Sequence, residues 1–124
     1  MQRLAALCVL LCAATSAPGA PGAEPSALQS VAARECREAA DFIRNAAASR
    51  DAGMSRTAIV QRLHDDFEVV RAFPPALRWF VHNENDEAFL AHEVGVVFDA
   101  PSAGEQHRAV FLERCLARLP GGTG

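Results

Sequence analysis

The chain has no lysine and no tyrosine, a single tryptophan, and beyond its first twelve residues only two cysteines. All twelve of its basic side chains are therefore arginine, set in a background rich in Ala, Gly and Pro. That bias points to a GC-rich, bacterial coding background and carries no mechanism. A dense basic patch is also missing. Without Arg3, which belongs to the leader described below, eleven arginines face fifteen acidic residues, a charge of −4 with His neutral. A nucleic-acid binder needs a concentrated basic surface to displace counterions, so no nucleic-acid partner is expected. Long hydrophobic runs are absent as well. The longest covers residues 4–14, well short of the ~20 needed to span a bilayer, so no membrane span is expected.

What is present at the start has a recognisable order. One basic residue, Arg3, precedes the apolar run, and small residues with Pro18 and Pro21 follow it. Together they predict a secretory signal peptide and the beginning of a flexible lead over residues 1–23, with cleavage between 16 and 23. Leu11 occupies the position before Cys12 where a lipid-modified cysteine requires a small residue, which argues against a lipid tether there. The expected location is outside the cytoplasm, periplasmic or extracellular. Residues 17–25 alternate Ala, Pro and Gly, and a segment with so little apolar area to bury is expected to be disordered. Residues 24–124 are then long enough for one domain with one core.

Within that domain the apolar spacing is helical. Leu28, Val31/Ala32, Cys36, Ala39, Ile43 and Ala46 recur every three or four positions after a capping Ser26, and Gly53 provides a left-handed stop. Ser55 caps a second helix with core stripe Ile59, Val60, Leu63, Phe67 and Val70, and Met54 has staple spacing to Ile59. Pro74 and Pro75 must interrupt the chain. Pro75 can open a short helix ending near His82, in which Leu77, Phe80 and Val81 would cover the core. Asn85 is a candidate cap for a helix over residues 86–98. The β-prone stretch 94–98 is read as helix, because no second strand exists to satisfy its backbone. Ser102 and Glu105 have capping-box spacing before a last helix with stripe Ala109, Leu112, Cys115/Leu116 and Leu119, stopped at Pro120. The predicted fold is all-α: a small bundle of four to five helices closed by one long-range disulfide.

That disulfide joins Cys36 to Cys115, since Cys8 and Cys12 leave with the leader and the remaining pair lies on apolar stripes in an oxidising compartment. A redox-active role fits poorly, because reactive pairs usually sit as Cys-x-x-Cys. No catalytic, cofactor or metal site is predicted. His64, His82, His92 and His107 lack helical ligand spacing, and Val96 stands where His92-Glu93 would need a second zinc histidine. The alternation Asn83, Asn85, Glu87 begins like a calcium loop but meets Ala88 and Val94 where Gly and Glu are required. Asp65, Asp66 and Glu68, beside His64, read as a solvated helix face rather than an acid–base pair. No Gly-x-Ser-x-Gly elbow is present.

Residues 73–82 have the most unusual composition: a rigid bend, then Arg78, Trp79, Phe80, Val81 and His82. Trp and Arg are enriched at binding hot spots, so Phe73, Arg78, Trp79 and His82 are the candidate contacts with an unidentified protein partner. In size and in the placement of Cys36 and Cys115 the chain resembles small periplasmic helical proteins with one disulfide, among them acid-stress chaperones and toxin-immunity partners. The expected function is accordingly non-enzymatic protein binding in the cell envelope, with an acid-responsive holdase as the alternative.

Overall fold

A computed structural model describes residues 26–121. The expected signal peptide, Cys8, Cys12 and the flexible lead lie outside the described residues. Four helices follow in order: α1 (Ala27–Asp51), α2 (Arg56–Arg71), α3 (Glu84–Asp99) and α4 (Gly104–Ala117), with one short 3-10 turn at Pro75–Leu77. Among the described residues there is no strand, and residues 94–98 are helical. The fold is the all-α, disulfide-closed bundle that the sequence predicts.

Local chemistry sets most of the boundaries. Ser26 accepts a hydrogen bond from the Gln29 amide while the Gln29 side chain accepts one from the Ser26 amide, a complete capping box. Gly53, at φ 98°, closes α1: its amide donates to the Arg50 carbonyl and that of Met54 to the Ser49 carbonyl. This is the Schellman arrangement, which supplies orphan carbonyls with donors. Ser55 accepts from the Ala58 amide and starts α2.

Two caps differ from expectation. Asn83, not Asn85, caps α3, accepting from the Asp86 amide at 3.0 Å. The earlier start places Glu84, Asp86 and Glu87 in the first turn, where the helix dipole favours carboxylates. α4 begins after Ala103 with no side-chain cap. Ser102 is instead engaged through its backbone: its amide donates to His107 Nε2 and its carbonyl accepts from Arg50. Glu105 pairs with Arg44 of α1 at 3.1 Å, so it does not fold back into a capping box.

The core forms where α4 lies against α1. Cys36 and Cys115 are joined with Cα atoms 5.7 Å apart. Ala39, Ala40 and Ala47 of α1 are fully buried, and such small side chains let a neighbouring helix come close. At the start of α4, Gly104 is so near α1 that a Cβ there would sit 3.3 Å from Arg44 Cγ. Phe111 fills the centre, its ring 6.1 Å from Phe80 and 5.4 Å from Phe89, and Leu90, Val94 and Val97 complete the core from α3. The buried stripe of α4 is thus His107, Phe111 and Cys115 rather than the expected line through Ala109, which is exposed. The bulk of Phe111 sets the inward face, leaving Leu112, Leu116 and Leu119 half-buried beside it. At the opposite extreme, Leu28 and Val31 extend beyond the bundle and are exposed.

The largest departure is the link between α2 and α3. The expected helix from Pro75 to His82 stops after Leu77, and Arg78 is extended at φ −80°, ψ 139°. Phe80 then adopts φ 56°, with the Val81 amide donating to the Trp79 carbonyl across it. That is a tight γ-turn, strained for a bulky residue. An extended strap covers about 3.3 Å per residue against 1.5 Å in a helix, which suits a link that must pass over α1. The carbonyls that a helix would have satisfied internally are served by Arg78, whose guanidinium donates to those of Phe73, Arg71 and His82. Phe80 and Val81 enter the core, whereas Leu77, expected there, is 74% exposed.

Candidate functional site

α2 leans on α3 rather than on α1, and this leaves a groove between α1 and α2. Two hollows run together along it. One, of about 160 Å³, lies between Phe42 and Ala46 of α1 and Ile59 and Leu63 of α2, with Met54 at its end. The other, of about 210 Å³, is bounded by Phe67, Val70, Trp79, Val81 and Leu90. Phe42, Leu63 and Asp66 border both. The lining is mainly apolar, and its polar members stand on the walls: Asn45 and Ser49 on α1, Arg62 and Asp66 on α2. The apolar character continues onto the surface, with Val69 65%, Phe73 53% and Trp79 43% exposed.

The four candidate contact residues divide by role. Trp79 borders the groove at its strap end, and Phe73, outside the lining, is half-exposed. Arg78 and His82 turn their polar atoms inward and hold the strap in place. His82 Nδ1 lies 2.8 Å from the Pro75 carbonyl and Nε2 lies 3.0 Å from Glu35 Oε2. Both partners are acceptors, so the ring is fully satisfied only as an imidazolium. Burial opposes that charge, but the Pro75 carbonyl, the Glu35 carboxylate and the nearby Asp86 outweigh it and raise the pKa above the usual histidine value. Trp79 Nε1 donates to Glu38 Oε2 at 2.6 Å. Glu35 and Glu38 of α1 are thus the two posts to which the strap is tied.

A small hollow of about 150 Å³ beside the disulfide is lined by Glu35, His82, Asp86 and Arg118. These groups are committed to one another. Asp86 accepts from the His82 amide at 3.1 Å and from Arg118 at 3.0 Å, and Arg118 also stacks 4.0 Å from the Phe89 ring centroid.

At the far end of α1, Arg50 anchors three elements. It donates to the carbonyl of Val97 in the last turn of α3 at 2.6 Å, to that of Ser102 at 2.9 Å, and approaches His107 Nε2 at 3.3 Å. The Ser102 amide also donates to that nitrogen at 3.0 Å, so Nε2 is the acceptor and the proton belongs on Nδ1. Burial first, and Arg50 second, depress the His107 pKa and keep the ring neutral. Two further carboxylates go inside as pairs: Glu87 with Arg71, and Glu93 with Arg114 at 3.0 Å. Bonding to Arg71 holds the Glu87 carboxyl below its usual range against the opposing effect of burial.

Cys36 and Cys115 are consumed by the cross-link, and His82 and His107 spend their basic nitrogens on structural contacts. Among the described residues no three His, Cys, Asp or Glu side chains converge as a metal site would require, and no helix is long and apolar enough to cross a membrane. The groove was not visible from composition, because Asp66 reads in sequence as a solvated charge. One signal does point to it: Ile59, Arg62, Asp66, Val69 and Phe73 recur at alternating spacings of three and four along one edge of α2 and just past its end. No family model matches the chain, and neither a curated protein nor a solved structure matches it with significance.

Proposed function

We propose that this is an exported, non-enzymatic protein-binding domain of the bacterial cell envelope, which takes its partner into the groove between α1 and α2. The observation that carries the reading is the groove itself: a continuous apolar trough ending at a half-exposed Trp79. Monomeric surfaces rarely leave such patches open without use, and tryptophan is enriched among binding hot spots. Export is supported by the leader-like start of the chain and by the Cys36–Cys115 cross-link, which an oxidising compartment preserves.

The test is site-specific photo-cross-linking in intact cells, with a probe at Trp79 and a control probe at Glu113, exposed on α4. A discrete adduct at Trp79 and none at Glu113 is the expected result. Equal labelling at the two positions, or none at Trp79, rejects the groove. Cell fractionation with mass analysis of the native chain tests export, which requires an oxidised product cleaved between residues 16 and 23.

A second reading, the acid-responsive holdase, is favoured by one feature: the strap is tied to α1 through the carboxylates of Glu35 and Glu38. Loss of these contacts in acid would release Trp79 and widen the apolar trough. An apolar dye that gains fluorescence as pH falls, while the protein remains dispersed, is the expected sign. Unchanged dye binding down to the acid unfolding transition rejects it.

A further inference from the structure

The groove-facing edge of α2 carries a pattern that matches its own reverse. Arg62 and Asp66 are the only charged residues lining the first hollow, and among the described residues neither forms an ion pair, although they stand four apart on one helix. Beyond them lie Ile59 on one side and Val69 on the other, and further out Ser55, beside Met54, and Phe73. These positions follow the alternating three-and-four spacing of a two-helix seam. Turned end over end about the level of residue 64, the series lands on itself. Arg62 meets Asp66, Ile59 meets Val69, and the Met54–Ser55 corner meets Phe73.

From this we infer that the occupant of the groove is a second copy of this chain, with the two α2 helices packed antiparallel across a two-fold axis. The inference rests on the reading of the groove as the binding surface and names its partner. An isologous interface requires that every contact occur twice with roles exchanged, and the Arg62–Asp66 pair satisfies this without any other residue. Val69, Phe73 and Met54 are 65%, 53% and 37% exposed, large apolar side chains left at the surface, while Ile59, only 7% exposed, lies in the lining of the hollow. The partner's α2 would enter the trough that α1 leaves open, giving α2 a second neighbour beside α3. A groove built for an unrelated helix would have no reason to place its two unpaired, opposite charges symmetrically about the midpoint of its own apolar pair.

The experiment is sedimentation of protein expressed from the full chain, compared with the charge reversals R62D and D66R. Both sites are exposed, and helical content and disulfide state establish that each variant is folded. Wild-type protein is expected to show a concentration-dependent monomer–dimer equilibrium. Each reversal alone sets like charges face to face and weakens the dimer on the order of tenfold or more. An equimolar mixture of the two variants restores opposite charges in both contacts, and a heterodimer returns to near wild-type affinity. Wild-type protein that stays monomeric across the whole concentration range overturns the inference. So does a dimer that ignores both reversals, or a mixture that fails to recover. If the wild-type chain is monomeric while the Trp79 probe captures a different protein in cells, the groove reading stands and only its occupant is wrong. If the wild-type chain is monomeric and the probe captures nothing, both fail.

Discussion

α1 has two flanks, and they are held by different means. Against α4 it presents Cys36, Ala40 and Ala47, is cross-linked to Cys115, and closes over Phe111 with almost no exposure. Toward α2 it presents Phe42, Ala46, Asn45 and Ser49 across a trough, bridged by the strap that Glu35 and Glu38 tie down. Close packing and a covalent tie fix the first flank. The second depends on hydrogen bonds and ion pairs at half-exposed sites, which are weaker and respond to pH. The contrast teaches that the stability of this fold and its capacity to bind are assigned to opposite sides of a single helix.

The most damaging change to the closed flank is removal of the cross-link. A tie across a sequence separation of 79 restricts the unfolded chain. Replacing both cysteines by alanine is expected to lower unfolding free energy by about 4 kcal/mol, read by urea denaturation. Slightly smaller is Phe111→Ala, which empties the centre of the core and costs about 3 kcal/mol or more. The same truncation at Phe42, half-buried on the open flank, should cost clearly less, because one side of the resulting space is already solvent. Equal losses at the two phenylalanines would remove the distinction between the flanks.

The closed flank is also the more legible in the sequence. Two cysteines on apolar helical stripes leave one pairing, and Ser26, Ser55 and Gly53 each solve a local backbone problem that few other residues solve. Where two residues could serve, the choice was made by distant contacts. Asn83 takes the cap from Asn85 because Asp86 must reach the His82 amide. Ser102 gives up its cap because Arg50 and His107 claim its backbone. Pro75 can open a helix by local geometry, but the strap stays extended beyond Leu77 because Arg78 supplies its carbonyls with donors. The groove is a consequence of where α2 rests, and the recurrence along one edge of α2 is the only local trace of it.

The two buried-side histidines give the comparison a pH axis. His107, on the closed flank, has a lowered folded pKa, so between that value and the ordinary 6.5 the unfolded chain binds a proton that the folded one refuses. Its contribution is complete above 6.5 and declines as pH falls. His82, on the strap, has a raised folded pKa. Its contribution is complete below 6.5 and is lost as pH rises through the folded value. Stability curves for H107Q and H82Q, each subtracted from wild type, should therefore slope in opposite directions across neutrality. Parallel slopes would show that the two sites do not differ as described. Glu87 adds a later loss: its carboxyl, held low chiefly by Arg71, stabilises the fold above 4.5 and ceases to do so as pH drops through its folded value.

The smallest expected effects lie on the open flank and separate binding from folding there. Trp79 is 43% exposed and its one polar bond goes to an exposed carboxylate, so Trp79→Ala should cost about 1 kcal/mol of stability. Leu77, at 74% exposure, should change stability by less than about 0.5 kcal/mol when cut to alanine. The two differ in what lies beside them. Trp79 borders the trough, whereas Leu77 is not among the residues that line it. Trp79→Ala should therefore weaken association, read by sedimentation, while Leu77→Ala leaves it intact, with thermal melts of both within a few degrees of wild type. Were Leu77→Ala the more damaging to association, the contact surface would have to move to the outer face of the strap, and the trough would be a packing defect with no partner.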